Sequence, residues 1–129
     1  MRTPDFDSPT TPLRVLVVDD DTESADVFAE LLVSLGHQVQ VAYDGTTGLS
    51  IDESWQPHVV FLDLGLPAMD GYEVAERLRA RRPGEVRIVA LTGFGQPADL
   101  VRSRSAGCEH HLVKPARLSD ILQALAERT

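Results

Sequence analysis

Four short apolar runs in this sequence each end in residues able to do chemistry. Val15-Leu16-Val17-Val18 leads into Asp19-Asp20-Asp21, and Val59-Val60-Phe61-Leu62 into Asp63. Ile88-Val89-Ala90-Leu91 leads into Thr92-Gly93, and His111-Leu112-Val113 into Lys114-Pro115. Carboxylates gathered from the first two places repel one another, and without a cation some of them must take up protons. A hard divalent ion such as Mg²⁺ resolves this, since it takes oxygen ligands, often one or two carboxylates with waters. Lys114 adds a positive charge, and the Thr92 hydroxyl with nearby backbone N–H groups can donate hydrogen bonds to an anion. A carboxylate, a metal, a lysine and a hydroxyl around one cavity are what phosphoryl transfer requires, because positioning and charge stabilisation dominate that reaction. Asp63 is then the nucleophile and an acyl phosphate the product.

The surrounding elements must bring these ends together. The three runs ending at Val18, Leu62 and Leu91 are short, unbroken and mostly β-branched or aliphatic, the pattern of strands buried on both faces. Val39 and Val41 make a weaker, alternating strand, and His111–Val113 a short last one. Helical spacing lies between them. Ala25, Phe28, Leu31, Leu32 and Leu35 share one helix face, with Gly36 placed to end the helix. Val74, Ala75 and Leu78 repeat the pattern, as do Leu118, Ile121, Leu122 and Leu125. The segment Thr46–Ser54 is a poor helix on propensity, holding Gly48 and Asp52 with only Leu49 and Ile51 apolar, but its place between strands makes it the expected second helix. The order is β-α five times over, which calls for right-handed crossovers and a parallel sheet covered on both faces. Sites in such sheets form beyond the carboxyl ends of the strands, where the strand order reverses.

Composition narrows the setting. The chain has 129 residues and a formal net charge of −8, with a pI near 4.8, which argues against a nucleic-acid binder. At 43% apolar residues, one domain of this length can bury a substantial core. The lone cysteine, Cys108, cannot form an internal disulfide, and the sequence carries neither a signal peptide nor a membrane-length apolar run, so the expectation is a cytoplasmic domain with no membrane partner. Pro4, Pro9 and Pro12 fall among Thr, Ser and Asp, a composition too poor in apolar groups to offset ordering entropy. Residues 1–12 are therefore expected to be a disordered tail or linker, and residues 13–129 the folded domain.

Val17-Val18-Asp19-Asp20-Asp21, Leu62-Asp63-Leu64-Gly65-Leu66-Pro67-Ala68-Met69-Asp70-Gly71, Leu91-Thr92-Gly93 and Val113-Lys114-Pro115 together resemble the receiver domain of two-component response regulators. Each motif alone is weak; all four in the right order, each closing an expected strand, are specific. The resemblance covers about Leu13 to Arg128 and implies a flavodoxin-like (βα)5 three-layer α/β fold with strand order 2-1-3-4-5. It implies that Asp63 accepts a phosphoryl group from a phosphohistidine on a histidine kinase or histidine phosphotransfer protein, and slowly loses it. Asp20 and Asp63 would bind Mg²⁺ through carboxylates, Gly65 through its backbone carbonyl, and Asp19 through or near a bound water. Thr92, the Gly93 N–H and Lys114 would hold the phosphoryl oxygens. Thr92 would also move toward the phosphate, linking phosphorylation to the face made by the fourth helix, fifth strand and fifth helix, where a downstream protein is addressed. The Lys114-Pro115 bond is commonly cis in similar proteins.

Some positions depart from that pattern. Three residues before the lysine, where the family usually carries a switching Tyr or Phe, stands His111, which either makes the same inward move with added pH sensitivity or is a surface histidine. His110 is read as surface. Gly65 offers no side chain over the site, whereas Phe94 is placed to shield it. Asp21 matches no ligand position and suits a helix start, as does Asp70 with Gly71. Trp55 is read as boundary packing and Cys108 as a small buried hydrophobe. The alternative function is a phosphorylation-independent pseudo-receiver that keeps only the fold, yet the acidic pair, the phosphoacceptor and the lysine are all present. A phosphatase with an Asp nucleophile needs a second Asp where Gly65 stands, and a flavin carrier would not place Asp19-Asp20-Asp21-Thr22 where its phosphate loop belongs. With nothing after Thr129 to act as an output domain, the expected form is a stand-alone receiver or one cut from a longer chain, such as a hybrid sensor kinase.

Overall fold

The computed structural model describes residues 12–66, 70–93 and 100–126. The expected tail therefore lies outside the described residues except for Pro12, and so does Phe94. Five β-α units follow one another: β1 (Arg14–Val18), α1 (Thr22–Ser34), β2 (Gln38–Ala42), α2 (Gly45–Trp55), β3 (Val59–Asp63), α3 (Gly71–Arg81), β4 (Arg87–Thr92), α4 (Leu100–Ser105), β5 (His110–Val113) and α5 (Leu118–Ala126). All strands run parallel in one sheet, in the order β2-β1-β3-β4-β5. The flavodoxin-like topology implied by the four motifs is the one present.

The unbroken apolar runs divide by alternation between two cores, as the pleat requires. Leu16, Val18, Val60, Leu62, Ile88 and Ala90 meet Leu49 of α2 and Val74, Ala75 and Leu78 of α3 on one face. Val15, Val17, Val59, Phe61, Val89 and Leu91 meet Ala25 and Leu32 of α1 and Ile121, Ala124 and Leu125 of α5 on the other. Phe28 stands edge-on to Phe61 there, with ring centroids 4.9 Å apart. β2 is an edge strand, so its two valines are only half-buried and its glutamines are exposed.

Local chemistry sets the helix ends. Asp21 caps α1 by accepting from the Ser24 N–H, and Gly36, at φ +99°, follows the last turn. α2 forms despite its weak propensity because tertiary contacts outweigh it. Asp44 caps its start at 2.7 Å from the Thr47 nitrogen, and Asp52 is fully buried against Arg82 at 2.6 Å. Its buried stripe is Gly45, Gly48, Leu49 and Asp52, a helical repeat that glycines and a carboxylate had disguised.

The α5 expectation needs correction. Its buried stripe is Ile121, Ala124 and Leu125, whereas Leu118 and Leu122 are 50% and 43% exposed. Leu122 lies about 100° round the helix from Ile121, and Leu118 opens the helix a turn before the buried stripe begins. α4 is short and carries no apolar stripe; its Leu100 and Val101 point to solvent. Among the described residues, no helix is long and apolar enough to cross a membrane.

Candidate functional site

The carboxyl ends of β1, β3, β4 and β5 converge. Asp19 follows β1 and is held there by its own N–H, which donates to the Ala42 carbonyl at 3.0 Å. Asp63 ends β3, Thr92 ends β4, and all three side chains are buried. Asp20 is exposed at the rim. One carboxylate oxygen from each of Asp19, Asp20 and Asp63 lies within 4.8 Å of the others, three hard oxygen donors from two separate strand ends. Lys114 Nζ sits 2.9 Å from Asp19 Oδ2 and 3.4 Å from Asp63 Oδ2. One ammonium against three carboxylates leaves an excess of negative charge, and this donor set suits a divalent cation such as Mg²⁺.

Each group is positioned by backbone. The Lys114 N–H donates to the Thr92 carbonyl at 2.7 Å, extending the pairing of β5 with β4, and the Lys114-Pro115 peptide is cis. The Gly65 N–H donates to Asp63 Oδ1 at 2.8 Å, which orients the carboxylate and leaves Oδ2 toward Lys114. Gly65 thus reaches the site through its backbone, as a residue without a side chain must. Gly71, the first residue of α3, presses on the same strand end. A Cβ there would lie 2.5 Å from Leu64 Cα and 2.6 Å from the Asp63 carbonyl oxygen, so only glycine permits this approach. The expected cap at Asp70 is present, accepting from the Tyr72 N–H at 2.9 Å.

Charge and burial compete at the centre. Burial pushes the Asp63 carboxyl above its ordinary range; the Gly65 N–H and Lys114 pull it back, and neighbouring Asp19 raises it again. Burial disfavours the Lys114 ammonium, but Asp19 and Asp63 outweigh that and hold its pKa above the usual lysine value.

Of the remaining expected residues, Gly93 lies half-buried just beyond β4. His111 pairs in register with Ala90, so it shares the sheet face of Ala90 and Thr92, and its Nε2 is 3.5 Å from Thr92 Oγ1. Its Nδ1 is buried with no hydrogen-bond partner among the described residues, and burial lowers its pKa. The imidazole therefore lies against the threonine rather than in open solvent. His110, on the opposite face, is half-buried rather than freely exposed. Cys108 is buried and its thiol is pushed up by that burial, as a packing role requires.

Two neighbouring features had no signal in residue spacing. Arg102 of α4 donates to Asp70 Oδ2 at 2.9 Å and lies 4.1 Å over the Tyr72 ring, bracing α4 on the start of α3. A groove of about 550 Å³ opens beside Asp19 and Lys114, walled by Val27, Phe28 and Leu31 of α1 and Ile121 of α5.

The sequence matches the response regulator receiver domain family over residues 15–126. It is 35% identical over 120 residues to the DNA-binding dual master transcriptional regulator RpaA of Synechocystis sp. (strain ATCC 27184 / PCC 6803 / Kazusa), covering 90% of this chain and 50% of that protein. It is 39% identical over 111 residues to the photosynthetic apparatus regulatory protein RegA of Rhodobacter capsulatus, covering 86% and 60%. The chain thus spans about half the length of the curated relatives it matches. Among solved structures, a CheY-like receiver domain protein from Methanospirillum hungatei JF-1 superposes with a TM-score of 0.81 at 30% identity, covering 89% of this chain and 91% of that one. The chemotaxis protein CheY4 of Vibrio cholerae gives 0.81 at 26% identity, covering 89% and 97%. A match across nearly the whole described sheet, on a fold that these receivers share, makes the chain a member of the response regulator receiver domain family of two-component systems.

Proposed function

We propose that this receiver accepts a phosphoryl group on Asp63 from a phosphohistidine of a histidine kinase or histidine phosphotransfer protein. The observation that carries this reading is the approach of Lys114 Nζ to both Asp19 and Asp63, within a cluster of three carboxylates. Asp63 attacks phosphorus through a carboxylate oxygen; the P–N bond to the donor imidazole breaks with its electron pair going to nitrogen, and that imidazole, already carrying a proton on its other ring nitrogen, leaves neutral. Ionised Asp63 is required, and the Gly65 N–H and Lys114 favour that form against the burial that raises its pKa. As the P–O bond forms, Lys114, the Thr92 hydroxyl and the Gly93 N–H hold the phosphoryl oxygens. Asp20, Asp63 and the Gly65 carbonyl would hold Mg²⁺, with Asp19 acting through or near a bound water. That ion supplies charge neutralisation at the transferring group. Slow attack by water on the acyl phosphate resets the domain, so it catalyses its own phosphorylation and dephosphorylation without turning over a separate substrate.

The output is proposed to be a protein contact. Thr92 drawn toward the phosphoryl group leaves His111, and the change passes to the face of α4, β5 and α5, where Val113, Leu118 and Leu122 are exposed. The chain's net charge of −8 favours a protein partner over nucleic acid. We place the receiver at residues 13–129 behind a tail or linker at 1–12, working in the cytoplasm.

Intact mass after incubation with acetyl phosphate, with and without Mg²⁺, tests the reading on the wild type and on Asp63→Asn. One Mg²⁺-dependent phosphoryl adduct, absent from the variant, is expected. No adduct from either acetyl phosphate or a phosphohistidine donor overturns the reading in favour of a phosphorylation-independent interaction module.

A further inference from the structure

At the amino end of the sheet, opposite the phosphoacceptor, two imidazoles hold the start of β1. The Leu13 N–H donates to Nδ1 of His37 at 3.1 Å, and the next N–H, that of Arg14, donates to Nδ1 of His58 at 3.0 Å. Successive backbone donors of an extended chain point to opposite flanks, so one imidazole serves each side. His37 stands immediately before β2, and His58 immediately before β3. The carbonyls of the same two residues are taken by backbone: Gln38 N–H donates to Leu13 at 2.9 Å, and His58 N–H to Arg14 at 2.8 Å. The two rings therefore add one acceptor on each flank, at the point where strand partners run out. Nδ1 accepts only while it carries no proton, so the geometry requires both rings neutral, with the proton on Nε2.

We infer that His37 and His58 form an acid-sensitive seam that holds Leu13 and Arg14, at the entry to β1, against the sheet and releases them when the rings take up protons. Protonation turns each acceptor into a donor facing a donor, and leaves the Leu13 and Arg14 N–H groups without their ring partners. Burial lowers the pKa of His37, which is 7% exposed. Partial desolvation, then the guanidinium groups of Arg14 on β1 and Arg82 beyond α3, lowers that of His58, whose residue is itself exposed. Glu85, Arg87 and Glu109 line the same cleft as His58. The sign is fixed by these directions. Both rings prefer the neutral form in the fold, so their stabilisation is complete above the unfolded histidine value of about 6.5 and is lost as pH falls below it.

Imidazole and amide NMR on the full chain tests this without reference to phosphorylation, so its outcome is independent of the function proposed above. At about pH 7.5 both rings should show a bare Nδ1 and a protonated Nε2, and both should titrate below about 6.5. The protection of the Leu13 and Arg14 amides, corrected for intrinsic exchange, should fall by up to about tenfold for each pH unit between about 6.5 and those midpoints, while Val17 and Phe61 hold. His37→Phe should remove protection at Leu13 alone, and His58→Phe at Arg14 alone; if either variant fails to fold, the wild-type titration decides. A proton on Nδ1 of either ring near neutral pH, or equal protection of the two amides at about pH 5.5 and 7.5, overturns the seam.

Discussion

The ammonium of Lys114 lies 3.4 Å from Oδ2 of Asp63, although the two residues are 51 apart in the sequence and their strands are separated by β4. Only the parallel order of the sheet brings the ends of β3 and β5 over one cavity. Because Lys114 is one of the groups pulling the Asp63 pKa down, its removal has a signed consequence. Lys114→Met should move the pH midpoint for phosphorylation upward, since Asp63 then ionises less readily. It should also slow adduct formation by about 10²-fold or more at neutral pH, by analogy with loss of one charge-stabilising donor. Adduct formation followed by intact mass against pH checks both; an unchanged profile would remove Lys114 from the site.

Asp63 itself is a carboxylate whose folded pKa is raised, chiefly by burial. A raised carboxyl pKa means that the fold binds the proton more tightly than the unfolded chain does, so ionised Asp63 weakens the fold at neutral pH. Asp63→Asn should therefore raise Tm by a few degrees in the absence of divalent ion, where 1 kcal/mol corresponds to about 4 °C for a domain of this size. The advantage should shrink as pH falls toward the carboxyl range, and Mg²⁺ should stabilise the wild type more than the variant. Thermal melts with and without Mg²⁺ at two pH values measure all three effects.

Thr92 and His111 make a second pair that can be probed directly. With Nε2 at 3.5 Å from the hydroxyl, the imidazole should report any movement of Thr92. Its ring resonances should shift on phosphorylation or on binding a phosphoryl analogue, and that shift should vanish in Thr92→Ala while surviving in Thr92→Ser. Since burial lowers the His111 pKa, the ring should titrate below about 6.5 in the unmodified protein. A ring indifferent to phosphorylation would make His111 a packing residue and no switch.

The strands and the site-bearing ends were legible because each apolar run is unbroken and each is closed by a polar group whose place the parallel topology dictates. Asp19, Asp63, Thr92 and Lys114 could be assembled on paper for that reason. Gly71 could not, since its necessity comes from an approach of α3 to the end of β3 that no local pattern encodes. The exposure of Leu118 and Leu122 was not legible because helical spacing alone fixes neither where along a helix the cover ends, which decides Leu118, nor how wide the covered face is, which decides Leu122. α2 shows the converse. Its propensity is poor, yet the spacing of Gly45, Gly48, Leu49 and Asp52 is a full helical stripe once small and charged residues are allowed to be buried.

That last allowance has an energetic test. Asp52 is completely buried, and the Arg82 side chain is 9% exposed; they meet at 2.6 Å, and the same guanidinium donates to the Pro57 carbonyl at 2.6 Å. The only other cation near Asp52 among the described residues is Arg81, at 3.7 Å and more exposed. Arg82→Met should therefore strand a buried carboxylate and cost about 3–5 kcal/mol, because removing one partner of a buried pair leaves the other's desolvation uncompensated. Replacing both, as Asp52→Leu with Arg82→Met, removes the stranded charge and should restore most of the loss, leaving mainly the unpaired Pro57 carbonyl at about 1–3 kcal/mol. Urea unfolding of the two single variants and the double variant gives the coupling directly. A double variant no more stable than the singles would show that the pair is held by its surroundings rather than by mutual attraction, and that α2 depends on Leu49 and the packing of Gly48 instead.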